Sequence, residues 1–203
     1  MFYIFFLLLV VVIPVVFYLS TRQFRAWPAI NERWFKAGIE NGFIFNSTRV
    51  DGTVTLELKG EYTFQYMSCI VSLSTSKRLS VVRAELPESL RVALSGYPVD
   101  TLSAFFDLVE RILSGQLEDL EEPYSTKVGD TGRKLNPKIV EQLLAIRREY
   151  LRPGRRFTLT AATISYEQDT LVVEPSTLFP VLDELVVLLY VMAENKDHLF
   201  LKA

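Results

Sequence analysis

The sequence VDGTVTLEL at residues 50–58 joins a turn signal to an alternation of apolar and polar side chains. An Asp-Gly pair between alternating runs is typical of a two-residue β-hairpin turn, and the period of two predicts strands with one buried face. The alternation continues on both sides of this stretch, and short turns between successive strands favour an antiparallel sheet. The predicted strands are Phe43–Val50, Thr53–Phe64, Tyr66–Ser74, Arg78–Leu86 and Leu90–Leu94.

Apolar residues at helical spacing are typical of the second half of the chain. Asp100 and Asn136 stand at N-cap positions ahead of two such runs. Residues 185–192 are apolar on all sides, so this segment is either deeply buried or in contact with another chain. The predicted elements are a helix over Thr101–Ser114, a strand over Tyr124–Val128, a helix over Pro137–Leu151, a hairpin of Phe157–Tyr166 with Thr170–Glu174, and a helix over Leu178–Glu194.

The chain opens with a run that carries no charge. From Phe2 to Leu19, 15 of the 18 residues are Leu, Ile, Val or Phe, which is long enough for a helix to cross the hydrocarbon core of a bilayer. We predict a transmembrane helix that is kinked at Pro14. A cleaved signal peptide is the alternative, but the run lacks a basic n-region and Leu19 stands where a cleavage site needs a small residue.

The fold class that follows is α+β, with an N-terminal transmembrane helix followed by a mostly antiparallel sheet packed with about three helices. Residues 1–24 form the predicted anchor, 25–42 a juxtamembrane amphipathic segment, and 43–203 a soluble α+β domain. Basic residues follow the anchor and none precedes it, so the positive-inside rule places the N-terminus outside and the domain in the cytoplasm. The predicted location is the cell inner membrane, with a single pass. An extracytoplasmic domain is the alternative.

Tryptophans and basic residues are interleaved just after the predicted anchor. Amphipathic indole rings and cations suit the headgroup zone of a bilayer. The predicted membrane-interface residues are Arg22, Arg25, Trp27, Arg33, Trp34 and Lys36. In the alternative, Ile30, Trp34 and Ala37 pack a short helix, which begins at Pro28 and runs to Gly42, onto the domain.

Composition excludes several classes of function. The formal net charge of −2 leaves no global positive field to hold nucleic acid, so no nucleic-acid partner is expected. One cysteine and one histidine are too few for a Cys/His zinc site and disfavour a Ser-His-Asp triad. Dinucleotide, P-loop and hydrolase motifs are absent, so no catalytic residue, metal or cofactor is assigned. Cys69 lies in an alternating run and is predicted to be a buried, inert thiol.

Charge is unevenly distributed along the chain. Residues 100–122 hold seven acids and one base, whereas residues 133–156 hold eight bases and two acids. Basic clusters of this kind suit anionic lipid headgroups or an acidic protein surface. In the alternative, the acidic and basic segments pair with each other. The predicted anionic-partner site is Arg147, Arg148, Arg152, Arg155 and Arg156, at the end of one helix and in the turn after it.

Two short segments carry a resemblance to known proteins. Leu58-Lys59-Gly60-Glu61-Tyr62 and Arg83-Ala84-Glu85-Leu86-Pro87 follow an apolar N-terminal helix. This layout resembles that of bacterial single-pass membrane-anchored proteins of unknown function. The resemblance implies a membrane-tethered α+β domain, and it implies no activity and no site residues.

Together these patterns predict a non-enzymatic, membrane-anchored binding or assembly module that is a subunit of a larger membrane protein complex. The expected partners are the lipid bilayer, other subunits of that complex and anionic lipid. One alternative is a membrane-tethered enzyme without a recognisable motif, whose site would be a deep pocket with converging polar groups. Another is a lipid or peptide sensor, which would show an unpaired sheet edge beside a groove.

Overall fold

The computed structural model describes residues 27–116 and 127–202. The predicted anchor over Phe2–Leu19 therefore lies outside the described residues, as do Arg22, Arg25 and the acidic residues between 118 and 122. The predicted strand over Tyr124–Val128 is described only from Lys127, which forms a single β-bridge.

Six antiparallel strands form the main sheet, in the order β1-β2-β3-β4-β7-β6. A separate antiparallel pair joins β5 to β8. The predicted α+β class with a mostly antiparallel sheet is confirmed. The strands are β1 Ile44–Val50, β2 Thr53–Phe64, β3 Met67–Ser76, β4 Ser80–Glu85, β5 Arg133–Leu135, β6 Arg155–Leu159, β7 Thr163–Gln168 and β8 Phe200–Lys202.

The β1–β2 hairpin turns where the sequence predicts. Val50 pairs with Thr53, and the two residues between them, Asp51 and Gly52, have φ angles of 49° and 76°. Positive φ at both central positions is characteristic of a type I′ turn, whose twist matches that of the flanking strands. The Asp-Gly signal therefore sets the register of the first two strands.

The main sheet buries one face only. Its inward side chains follow one row across the strands, because Leu58 pairs with Leu73, Leu73 with Val82, and Val82 with Tyr166. These four side chains are at most 2% exposed. The opposite face carries mostly serine, threonine and charged residues, as in antiparallel sheets that are covered by helices on one side.

Five α-helices occur among the described residues, more than the three expected. The central one is α5, which contacts β2, β4 and β7 as well as α2 and α4. Its Leu185, Leu188 and Leu189 have no exposed surface, so of the two alternatives for this segment the structure shows deep burial. The helices are α1 at residues 27–41, α2 Glu88–Ser95, α3 Val99–Leu113, α4 Pro137–Tyr150 and α5 Phe179–Glu194.

One helical stretch within residues 27–116 and 127–202, Pro175–Glu194, is long and apolar enough by length and composition to cross a membrane. It includes α5. A helix at the centre of a hydrophobic core has the same composition, because it is covered on all sides. Burial against the sheet therefore accounts for its apolar character.

α1 packs along the β1–β2 hairpin and belongs to the core. Trp34 has no exposed surface, and its indole Nε1 donates a hydrogen bond of 3.2 Å to the carbonyl oxygen of Val172. Gly38 allows the close approach, since a Cβ there would lie 3.0 Å from Leu58 Cδ2. This is the packing that the alternative interpretation of the segment predicted.

Two local predictions around α2 and α3 were wrong. The predicted strand over Leu90–Leu94 is part of α2, which buries Leu90 and Leu94. A separation of four residues fits both a strand face and a helix face, so the pattern alone did not distinguish them. α3 begins at Val99, with Pro98 at the N-cap, so Asp100 lies in the first turn instead of capping it.

The predicted second hairpin is also displaced along the chain. β6 and β7 form a hairpin within the stretch that was expected to be a single strand, and Thr170–Glu174 is not a strand. The turn contains no glycine or proline. The Thr160 Oγ1 instead accepts the backbone N–H groups of Ala162 and Thr163 at 3.3 and 3.0 Å. A side chain that supplies turn hydrogen bonds leaves a weaker sequence signal than Asp-Gly.

Candidate functional site

The start of α1, two turns and the start of β6 lie at one end of the main sheet. The strand register places the β1–β2 turn, the β3–β4 turn and the first residue of β6 at this end. Trp27, the first described residue of α1, lies beside the two turns. We call this region the α1 end. The predicted anchor precedes α1 in the sequence, so the chain enters the domain here.

A groove of about 550 Å³ lies at the α1 end, between α1 and the two turns. Its volume is typical of sites for small ligands. None of the described residues that line it is a histidine, a cysteine or a carboxylate. The groove, called the α1 groove below, has apolar walls and two cations: Trp27, Ile30, Val54 and Leu171, with Arg49 and Lys77.

The two cations of the α1 groove are exposed. Arg49 lies near the end of β1 and Lys77 directly follows β3, and the sheet register places them on either side of Val54 in β2. Neither forms an ion pair within residues 27–116 and 127–202. Their charges are therefore available to an anion.

Arg152, in the turn between α4 and β6, and Arg155, the first residue of β6, lie at the same end of the sheet. They line a cleft of about 140 Å³ with Tyr150, Tyr166 and Glu149. The guanidinium carbon of Arg155 lies 5.9 Å from the centroid of the Tyr166 ring, and its Nη1 donates to the Tyr150 carbonyl at 3.4 Å. Burial raises the pKa of Tyr166, while the charges of the two arginines act to lower it.

The other three arginines of the predicted anionic-partner site do not line the cleft of Arg152 and Arg155. Arg147 and Arg148 lie together over a shallow cleft on α4. Arg156, on the opposite face of the strand from Arg155, has its Nη2 3.4 Å from Glu167 and 3.3 Å from Asp169. These carboxylates belong to β7 and the turn after it. Arg156 is therefore paired within the domain, with partners outside the acidic segment at 100–122 that the alternative named.

The predicted membrane-interface residues that the structure describes differ in their exposure to solvent. The prediction is wrong for Trp34, because its ring is enclosed in the core and cannot reach a headgroup. Trp27 is half-buried at the α1 groove. Arg33 and Lys36 are exposed, and they form ion pairs with Glu174 and Glu40.

The outer edge of β1 has no strand beside it among the described residues. Phe35 and Ile39 of α1 and Ile44 and Val50 of β1 are 51%, 66%, 68% and 66% exposed. Phe35 contacts the ring of Phe45 at a centroid distance of 5.8 Å, so this side of α1 adjoins the strand. We call β1, with Phe35 and Ile39, the β1 edge. No residue of the β1 edge is among the predicted site residues.

The thiol of Cys69 is a buried group, as the sequence predicts. It is 5% exposed, and burial raises its pKa from 9.0 to about 11. At pH 8 we expect iodoacetamide to alkylate the native protein about a hundredfold more slowly than the unfolded chain, since the thiolate is the reactive form. Equal rates, followed by mass spectrometry, would contradict this.

The same pKa shift has a consequence for stability. Because the folded-state pKa lies above the unfolded one, the protonated thiol stabilises the fold below pH 9, and this contribution is lost as pH rises toward 11. A Cys69→Ala variant is expected to lose less stability than the native chain between these pH values, as measured by urea unfolding.

No protein-family model matches this chain, and no curated protein and no solved structure shows significant similarity to it. The resemblance to single-pass membrane-anchored proteins of unknown function therefore stays a prediction.

Proposed function

We propose that this chain is a non-enzymatic, membrane-anchored module that assembles into a larger membrane protein complex through its β1 edge. The predicted span over Phe2–Leu19 tethers it, with the described domain on the cytoplasmic side. The observation that carries the proposal is the unpaired outer side of β1, flanked by exposed apolar residues of α1 and β1.

The backbone of β1 presents a row of hydrogen-bonding groups at this edge. The residues that close a two-residue hairpin are hydrogen-bonded to each other, and bonded positions alternate along the strand. The outward-pointing backbone groups are therefore those of Phe45, Ser47 and Arg49. A strand of a partner subunit would pair with them and extend the sheet.

The side chains of the β1 edge support the same conclusion. Natural edge strands are usually protected by charged side chains, proline or a bulge, and β1 contains no proline and a single charged residue, Arg49. Phe35 and Ile39 lie on the helical side of the edge, and Ile44 and Val50 on the opposite face of the strand. A pairing strand would cover apolar surface on both faces, and this burial favours association.

A proline at position 47 tests the assembly proposal. Ser47→Pro removes an outward N–H and leaves the β1–β2 bonds in place, so the domain should fold while a partner strand loses one backbone bond. We expect the variant to retain about a tenth or less of the co-purifying subunits of the full-length protein in mild detergent. The measurement is the native mass of the solubilised complex.

Ser47→Ala is the matched control, because it keeps the N–H and removes the same side chain. It should retain the native mass. If both variants lost the co-purifying subunits equally, or if neither lost them, the result would show that the complex does not assemble through the β1 edge. A native protein that migrates as a monomer without companions would contradict assembly altogether.

Membrane attachment is tested separately with the full-length chain. We expect alkaline carbonate to leave the protein in the membrane pellet, because a span of this length and composition inserts as a helix. Release of the intact chain into the supernatant would contradict the anchor.

A further inference from the structure

We propose that the α1 groove binds one anionic phospholipid of the membrane, with an acyl chain against its apolar walls and the phosphate between Arg49 and Lys77. The groove shares Arg49 with the β1 edge, because the Arg49 side chain lines the groove while its backbone lies along the outer side of β1, but lipid binding does not depend on the assembly proposal.

The shape and lining of the groove fit an amphiphile. Trp27, Ile30, Val54 and Leu171 supply apolar walls in a volume of about 550 Å³. A soluble polar metabolite would leave this apolar surface in contact with water, whereas an acyl chain would cover it.

The charges at the groove select an anionic headgroup. Arg49 and Lys77 make no ion pair with the described residues, and both line the groove. Arg78, next in the chain to Lys77, is exposed. No carboxylate among the described lining residues opposes the pair. Cations that converge from two strands on one apolar groove are suited to a phosphate that is carried on a hydrophobic chain.

The location of the groove favours the membrane as the source of the ligand. The groove opens beside the start of α1, and the predicted span ends only a few residues earlier in the sequence. Arg152 and Arg155 lie at the same end of the sheet and also lack ion pairs among the described residues. Arg49, Lys77, Arg152 and Arg155 would each interact favourably with the surface of an anionic leaflet.

Tryptophan fluorescence of the full-length protein in mild detergent provides the test. The chain has two tryptophans, and Trp34 is enclosed in the core, so a brominated acyl chain in the groove quenches Trp27. We expect saturable quenching by brominated phosphatidylglycerol. Brominated phosphatidylcholine should need at least a tenfold higher mole fraction for half-maximal quenching.

Charge variants separate specific binding from general contact with lipid. The double variant Arg49→Gln/Lys77→Gln should raise the half-quenching mole fraction of phosphatidylglycerol by about ten- to thirtyfold. The control Lys59→Gln/Arg83→Gln removes the same two charges from exposed positions on the open face of the sheet and should leave it unchanged. A third variant, Val54→Phe, narrows the groove and should weaken quenching while both cations remain.

Three outcomes would overturn the proposal. Equal quenching by the two lipids would show that Trp27 only touches the micelle. Equal effects of the two double variants would show that net charge, and not the groove, attracts the lipid. Complete displacement of the brominated lipid by glycerol phosphate at the same concentration would show that a soluble phosphate is the ligand. Melting temperatures of all variants, followed by circular dichroism, exclude unfolding as the cause of lost quenching.

Discussion

Replacement of Trp34 with alanine is expected to destabilise the domain by about 3–5 kcal/mol, which is a large part of the stability of a typical domain. The substitution removes a fully buried indole and leaves the carbonyl of Val172 without its hydrogen bond. It also removes the largest buried side chain that α1 contributes to the core. Urea unfolding of the full-length protein, followed by far-ultraviolet circular dichroism, measures the effect.

Trp27→Ala is the matched control, because it removes the same ring from a half-buried position in the same helix. We expect a loss of less than about 1.5 kcal/mol. If the two variants were equally stable, Trp34 would not have the enclosed position described here, and the membrane-interface interpretation of this residue would regain its basis.

Replacement of Val186 with arginine should prevent stable folding. Val186 lies in α5 and has no exposed surface, so a guanidinium there would be buried without a partner, at a cost of about 4 kcal/mol or more. We expect a loss of the cooperative thermal transition or a decrease of at least about 8 °C in its midpoint.

Val92→Arg is the control for this change. Val92 lies in α2 and is 61% exposed, so the same substitution should alter the free energy of unfolding by no more than about 0.5 kcal/mol. A Val186→Arg variant that unfolded at the same temperature as Val92→Arg would show that α5 is not the central helix of the core.

Local signals with a single structural meaning were sufficient to predict much of the fold. Asp51-Gly52 sets a two-residue hairpin, and Asn136 caps α4 by accepting the Lys138 N–H at 3.0 Å, with Pro137 in the first turn. Each signal acts within four residues, so the sequence reports it without knowledge of the remaining fold.

The wrong secondary-structure predictions came from sequence patterns that fit two different structures. Leu90 and Leu94 satisfy a strand and a helix equally, and only their contact with the core decides between them. The turn at Thr160 depends on a hydroxyl, which threonine offers in many conformations.

The candidate sites were harder to predict, because they depend on how strands pair. Arg155 and Arg156 are adjacent in sequence, but neighbouring strand residues point to opposite faces, so Arg156 pairs with Glu167 and does not line the cleft with Arg152 and Arg155. Arg49 and Lys77 reach the α1 end from β1 and from the turn after β3. Ile44 and Val50 lie on the open face of the sheet, where most other side chains are polar, but only the strand register shows which face of β1 is open.

The way in which α1 lies along the β1–β2 hairpin determines how the domain responds to mechanical load. A force applied to the first residue of α1 along the helix axis would strain the contacts of Ile30, Trp34 and Gly38 in parallel, so they would not break one after another. Such shear geometry resists force better than peeling does. Force applied along this axis would therefore move the described domain as one body before it detached α1.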